Sequence, residues 1–178
     1  MIKEKNYLLR DTYIFMREEL KRIEDILSKE IPRALRQAYD TGGYWHDNPH
    51  WDYTLQDQEK LRKRYYQILG PLNAPAIIEE EIRGIDFKSV WIGTEVTIRD
   101  EEGKEESWKV VGSFDTVHNP HCKSEEGFIS YKAPLIAPLI GKKRGEEVKI
   151  ILPLGRTRRV RIVDIRSFVQ EVEPPSLK

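Results

Sequence analysis

The spacing of apolar residues changes period partway along the chain. Tyr13, Met16, Leu20, Ile23 and Leu27, then Ile31, Leu35 and Ala38, recur at intervals of three and four. That is the seam of a helix packing along a partner helix. Asp11 or Thr12 suits its N-cap, because a short side-chain oxygen accepts from the unpaired amides of a first turn. Pro32 falls inside the run and lacks an amide hydrogen, so a kink or local break is expected there. A second helix is expected from about Tyr53, where Leu61, Tyr65, Ile68 and Leu72 repeat the spacing after Gln58. Gly70-Pro71 is expected to weaken its end. Between the two lies Asp40 to Asp52, DTGGYWHDNPHWD, in which Gly42-Gly43 and Asn48-Pro49 are turn chemistry. Two helices of similar length on a short linker form an antiparallel hairpin.

After Phe87 the period becomes two. Val90–Asp100, Ser107–Phe114, Glu146–Pro153 and Arg158–Ile165 alternate or run apolar as strands do. Asp100 to Gly103 turns the first pair, and Leu154-Gly155-Arg156 turns the second. Leu135 to Ile140 suits a short helix ahead of Gly141. The expected fold class is α+β. Residues 1–75 form an antiparallel helical coiled-coil hairpin with its tip at 40–52. Residues 76–86 form a linker, 87–172 an antiparallel-sheet domain, and 173–178 a loose tail.

Composition narrows the function classes. Lys+Arg and Asp+Glu are each 30 of 178 residues, so bulk charge gives no argument for a nucleic-acid binder. A single cysteine, Cys122, excludes an intrachain disulfide and a cysteine zinc cluster. The opening MIKEKNYLLRDTYIF lacks a signal-peptide apolar core. No stretch approaches the roughly 18 apolar residues of a membrane span. A soluble, cytoplasmic monomer is expected, without a membrane partner.

Particular wording in the second half carries a resemblance. It comprises Gly93-Thr94-Glu95-Val96, Trp108-Lys109-Val110-Val111-Gly112, Gly127-Phe128-Ile129-Ser130, Ala133-Pro134-Leu135, Leu139-Ile140-Gly141-Lys142 and Gly145-Glu146-Glu147-Val148, in that order. This block, roughly Phe87 to Ile165, resembles the Gre transcription elongation factors of bacteria, the GreA and GreB type. The resemblance implies an immunophilin-like sheet domain that docks on bacterial RNA polymerase through Ile129, Ser130, Ala133, Pro134 and Leu135. It implies a coiled coil that enters the polymerase secondary channel, with tip carboxylates helping to hold a shared magnesium ion. The polymerase then hydrolyses a backtracked transcript, so the chain itself is no enzyme and carries no cofactor of its own. A basic patch on the coiled coil faces the transcript RNA; here Lys60, Lys63, Arg64, Arg17 and Lys21 are its candidates.

The tip departs from the family pattern, Gly-Asp-Leu-Ser-Glu-Asn-Ala-Glu-Tyr. Gly42 and Asn48 align if one residue is inserted, Gly43 then replaces the Asp, and His46 or Asp47 stands at the Glu. Asp47 is the best tip candidate for magnesium, with Asp40, Asp52 and His46 behind it. Two readings stay open: stimulation of transcript cleavage, or channel binding that inhibits or modulates without cleavage. A third, of another class, is a prolyl-isomerase-like or chaperone module. His46, Asp47, His50 and Asp52 also have ligand types suited to a transition metal, against a polar turn stiffened by aromatics. Arg159 and Arg161 fall on one strand face, most simply a solvated one. Cys122 near His118 and His121 offers a nucleophile pair with no orienting third group.

Overall fold

The computed structural model describes residues 5–42, 48–85 and 87–169. The chain divides into two compact units: Ile14–Asn73, and the residues before Ile14 together with those from Ala74 onward. The division falls between Asn73 and Ala74, and the first thirteen residues go with the sheet and not with the hairpin.

The helical unit is built from α1 (Arg10–Asp25), α2 (Ile31–Gly42) and α3 (Pro49–Leu72). Met16, Leu20, Ile23, Ile31, Ala38 and Ile68, all seam positions, are buried. The antiparallel pairing is written in cross-helix contacts. Arg64 donates to Glu19 through Nε (2.8 Å) and Nη2 (3.1 Å), and Tyr65 Oη donates to Glu24 at 3.0 Å. Asn48 Nδ2 donates to the Ala38 carbonyl at 2.9 Å. Pro32 does not break the first helix. One wide π-helical turn, Ile26–Glu30, precedes it, with the Ile31 amide bonded to the Ile26 carbonyl. Ser28 Oγ donates back to the Glu24 carbonyl at 2.6 Å, a bond that bends helices. The ladder thus widens at the proline instead of stopping. The second helix starts at Pro49, earlier than expected, and runs through Gly70-Pro71 to Leu72.

The sheet unit contains β1 (Asn6–Leu8), β2 (Pro75–Ile77) and α4 (Ile78–Glu81). It continues with β3 (Thr94–Asp100), β4 (Glu105–Val111), α5 (Asp115–His118), β5 (Phe128–Ser130), β6 (Glu147–Ile151) and β7 (Thr157–Ser167). β1 and β2 pair in parallel. The supposed linker is therefore part of this unit: Ile78 and Ile82 are buried with Ile92 against Tyr7, Leu9 and Phe87. The five-stranded sheet runs β5-β4-β3-β7-β6. Its β3–β4, β3–β7 and β6–β7 pairs are antiparallel, but β4–β5 is parallel. A wholly antiparallel sheet was expected. The long connection between β4 and β5 lets the chain return in its original direction, which a tight hairpin cannot do. Alternation buries Val96, Ile98, Val148, Ile150, Val160 and Ile162 on one face, over Ile136 and Leu139. The short helix expected before Gly141 is a single 3₁₀ turn, Ala137–Leu139.

Candidate functional site

Asn48 organises the hairpin end. Pro49 at the first helical position has no amide to satisfy, and Asn48 Oδ1 accepts from the Trp51 amide at 3.3 Å. The same side chain spends its donor on Ala38, so one buried residue caps α3 and ties it to α2. An Asn-Pro pair reads as an N-cap followed by N1 as readily as a turn, and that signal places the helix start correctly.

Asp40 lies in the last turn of α2 and Asp52 in the first turn of α3, both exposed. His46 and Asp47, with Tyr44 and Trp45, lie outside the described residues. Among the described residues no group of three or more His, Cys, Asp or Glu is arranged to hold a metal ion. Leu35, Arg36, Tyr39, Asp40 and Trp51 line a pocket of about 320 Å³ in the helical unit.

The basic candidates are interleaved with acids. Lys60 bonds Asp57 at 3.0 Å, Lys63 sits 2.7 Å from Glu59, and Arg64 joins Glu19 across the hairpin. Arg17 and Lys21 share a surface hollow with Glu18, Leu20 and Glu24. These pairs are solvated, so each is worth little on its own.

The docking candidates run from the end of β5 into a compact turn. Ser130 Oγ accepts from the Lys132 amide at 3.2 Å and lies 3.2 Å from Ser113 Oγ. The Ser130 carbonyl accepts from Ala133 at 2.9 Å, and the Ala133 carbonyl accepts from Ile136 and Ala137. Ile129 and Leu135 pack on the sheet core, leaving Pro134 exposed. Tyr131 meets Tyr7 edge-on with centroids 6.2 Å apart.

Sequence reasoning missed the most buried charge in the sheet unit. Asp115, fully buried, accepts from the Leu9 amide at 2.9 Å and the Gly112 amide at 2.8 Å. Glu79 accepts from the Arg10 amide at 3.0 Å. The first turn of α1 is thus capped by carboxylates distant in sequence, and Asp11 and Thr12 lie inside the helix. Thr12 is buried and accepts from Asn119 Nδ2 at 3.1 Å. Burial pushes the Asp115 carboxyl up to about 6, against hydrogen bonds that lower it. Burial also pushes the Cys122 thiol up to about 12, so it carries no thiolate to serve as a nucleophile. Arg159 and Arg161 are exposed on the sheet face, Arg161 paired with Glu147 at 2.6 Å. Arg158, more buried, bonds both Asp100 and Glu106 at 3.0 Å; its hydrogen bond holds the Glu106 carboxyl below its ordinary range.

No described helix is long and apolar enough to cross a membrane. Residues 86–167 match the family model described as "Transcription elongation factor, GreA/GreB, C-term". The chain is 34% identical over 161 residues to transcription elongation factor GreA of Roseiflexus sp. strain RS-1, covering 90% of this chain and 96% of that protein. It is 33% identical over 149 residues to GreA of Macrococcus caseolyticus, covering 83% and 87%. Gfh1, a GreA factor homolog of Thermus thermophilus, aligns with 92% of this chain and all of its own at 20% identity, with a TM-score of 0.39.

Proposed function

Because this chain belongs to the GreA/GreB family of transcription elongation factors, we propose that it binds RNA polymerase and regulates elongation through the secondary channel. The sheet unit, in this reading an immunophilin-like docking module, grips the channel rim with the Ser130–Leu135 turn. The helical hairpin enters the channel, and its end, Asp40 to Asp52, faces the catalytic centre. One observation carries the reading: similarity to GreA runs through helical and sheet units alike, over 90% of the chain. The factor works in the cytoplasm as a monomer, and any bond cleavage belongs to the polymerase.

The chemistry suits a carboxylate on a rod. Two metal ions stabilise the attacking and leaving oxygens of a phosphoryl displacement, and magnesium takes carboxylate and water ligands. Asp47, with Asp40 and Asp52 flanking it, would supply such a ligand to the polymerase's magnesium. The sequence of the tip favours the second reading, modulation with weak cleavage at best, because Gly43 stands where the family carries its leading Asp.

Co-purification of the intact chain with bacterial RNA polymerase at low salt tests the binding; no association overturns it. A cleavage assay on backtracked complexes tests the tip. Weak stimulation, reduced further by Asp47→Ala, is expected. Robust cleavage unaffected by Asp47→Ala would assign the chemistry elsewhere.

A further inference from the structure

The five-stranded sheet has an open edge. β6 stands last in the order β5-β4-β3-β7-β6 and pairs with β7. The register sets which of its backbone groups stay free. The Leu152 amide donates to the Arg156 carbonyl at 2.8 Å, and the Ile162 amide to the Glu146 carbonyl at 3.0 Å. Bonds in an antiparallel pair fall on alternate residues. Val148 and Ile150 therefore bond β7, while Glu147, Lys149 and Ile151 turn their amides and carbonyls outward. Among the described residues no other element bonds the backbone of those three. Such an edge is a template for another strand. The side chains give it a chemical pattern. Glu147, Lys149 and Ile151 share the exposed face, and Ile151 is 67% exposed. Val148 and Ile150 belong to the core, in which Val148, at 9%, is the least covered member.

A lysine in an edge strand ordinarily repels a second copy. Here Glu147 stands two residues away on the same face, and one alignment turns repulsion into attraction. Two copies related by a two-fold axis present the same edge to each other, so their β6 strands run antiparallel. Centred on Lys149, the pair sets Lys149 against itself. Centred on Ile150, it sets Lys149 against Ile151. Centred on Val148, it sets Glu147 of each copy against Lys149 of the other. In that register the free amides and carbonyls of both residues bond across the axis, and Val148 covers its counterpart. Ile151 lies beside Gly145 of the second copy, where a Cβ would meet nothing within 4 Å, so its side chain has room. We propose that β6 pairs with β6 of a second copy of this chain in the register centred on Val148, joining two sheets into one. The symmetry closes, because each copy spends its β6 edge on the other. One strand pair buries less than the roughly 1,200 Å² of stable complexes, so the dimer forms at high concentration and dilution returns single chains. The inference goes beyond the proposed function and does not rest on it. The Ser130–Leu135 turn follows β5, at the opposite edge of the sheet, and stays open in the pair.

Sedimentation equilibrium of the intact chain, polymerase absent, from about 10 μM to about 1 mM tests the pairing. A monomer–dimer equilibrium is expected, with no larger species. Lys149→Glu puts like charges in both cross-strand pairs, and so does Glu147→Lys. Each variant alone should dimerise roughly tenfold more weakly or worse. A one-to-one mixture of the two restores opposite charges in both pairs, as does the double variant in one chain. Both should recover the association of the native chain. Both positions are exposed, and recovery in the mixture also shows that the single variants are folded. A native chain that stays monomeric to about 1 mM would overturn the proposal. So would single variants that dimerise as the native chain does, or a mixture that associates no better than its components. Polymerase co-purification of the native chain is measured alongside. Polymerase binding without dimerisation would remove the β6 pairing and leave the proposed function standing, and the reverse would do the opposite.

Discussion

Gly112 shows how one residue can be fixed by a contact its neighbours in sequence do not announce. A Cβ at this position would lie 1.8 Å from the Tyr7 carbonyl oxygen, because β1 passes directly over the end of β4. Gly112→Ala has to displace backbone, so a loss of about 3 kcal/mol is expected in denaturant titration. Asp115, whose carboxylate accepts from the Leu9 and Gly112 amides at the same crossing, yields a pH dependence with a defined sign. Unfolded, its carboxyl titrates near 3.8; folded, near 6. Between those values the folded chain binds the extra proton, so this contribution to stability is complete below about pH 4 and is lost as pH rises through about 6. Stability from this group should fall by at most about 1.4 kcal/mol per pH unit within the window. Asp115→Asn should flatten that part of the profile in unfolding experiments between pH 4 and 7, while lowering stability at low pH through the lost acceptor for Leu9 or Gly112. None of this was legible in the sequence. Asp115 sits in a polar stretch with no periodicity, and its role exists only because residues 7–9 fold back across it.

At the scale of elements, periodicity read well and ends read poorly. The seam residues Met16, Leu20, Ile23, Ile31, Ala38 and Ile68 are buried as their spacing requires, and the β3–β4 and β6–β7 hairpins appear where alternation and turn residues place them. Caps were misplaced because they are made at a distance: α1 is capped by Asp115 and Glu79, not by its own Asp11 or Thr12. α3 is capped locally, and there the test is direct. Asn48→Ala removes both the cap and the tie to Ala38; a loss of about 1–2 kcal/mol is expected, with amide exchange accelerating first at residues 51–53. In the sheet, Arg158→Ala strands Asp100 and Glu106, which share its guanidinium. Partial exposure keeps the expected cost near 1–2 kcal/mol by thermal unfolding. The β3–β7 register slips by one residue after Thr97, a bulge that alternation alone does not reveal, since each side of it alternates correctly.

For the whole molecule, the expected effect of a substitution depends on which unit carries it. Pro134 is exposed on the turn whose neighbours Ile129 and Leu135 are packed inward. Pro134→Glu should therefore weaken polymerase association at least about tenfold, 1.4 kcal/mol, with an unchanged thermal midpoint. Equal association would remove that turn from the docking surface. The amino-acid sequence by itself determined the two periods, the long helices, four of the strands and the family, because each is carried by near-neighbour spacing or by runs of residues in a set order. Only the tertiary structure decided that residues 6–8 and 75–77 form a strand pair, that β5 joins in parallel, and that Asp115 is a buried cap. It also brought Tyr39 and Trp51 to one pocket from two helices. Those features depend on pairs of residues far apart in the chain, and burial, desolvation and steric exclusion act on such pairs without leaving a repeat in either segment.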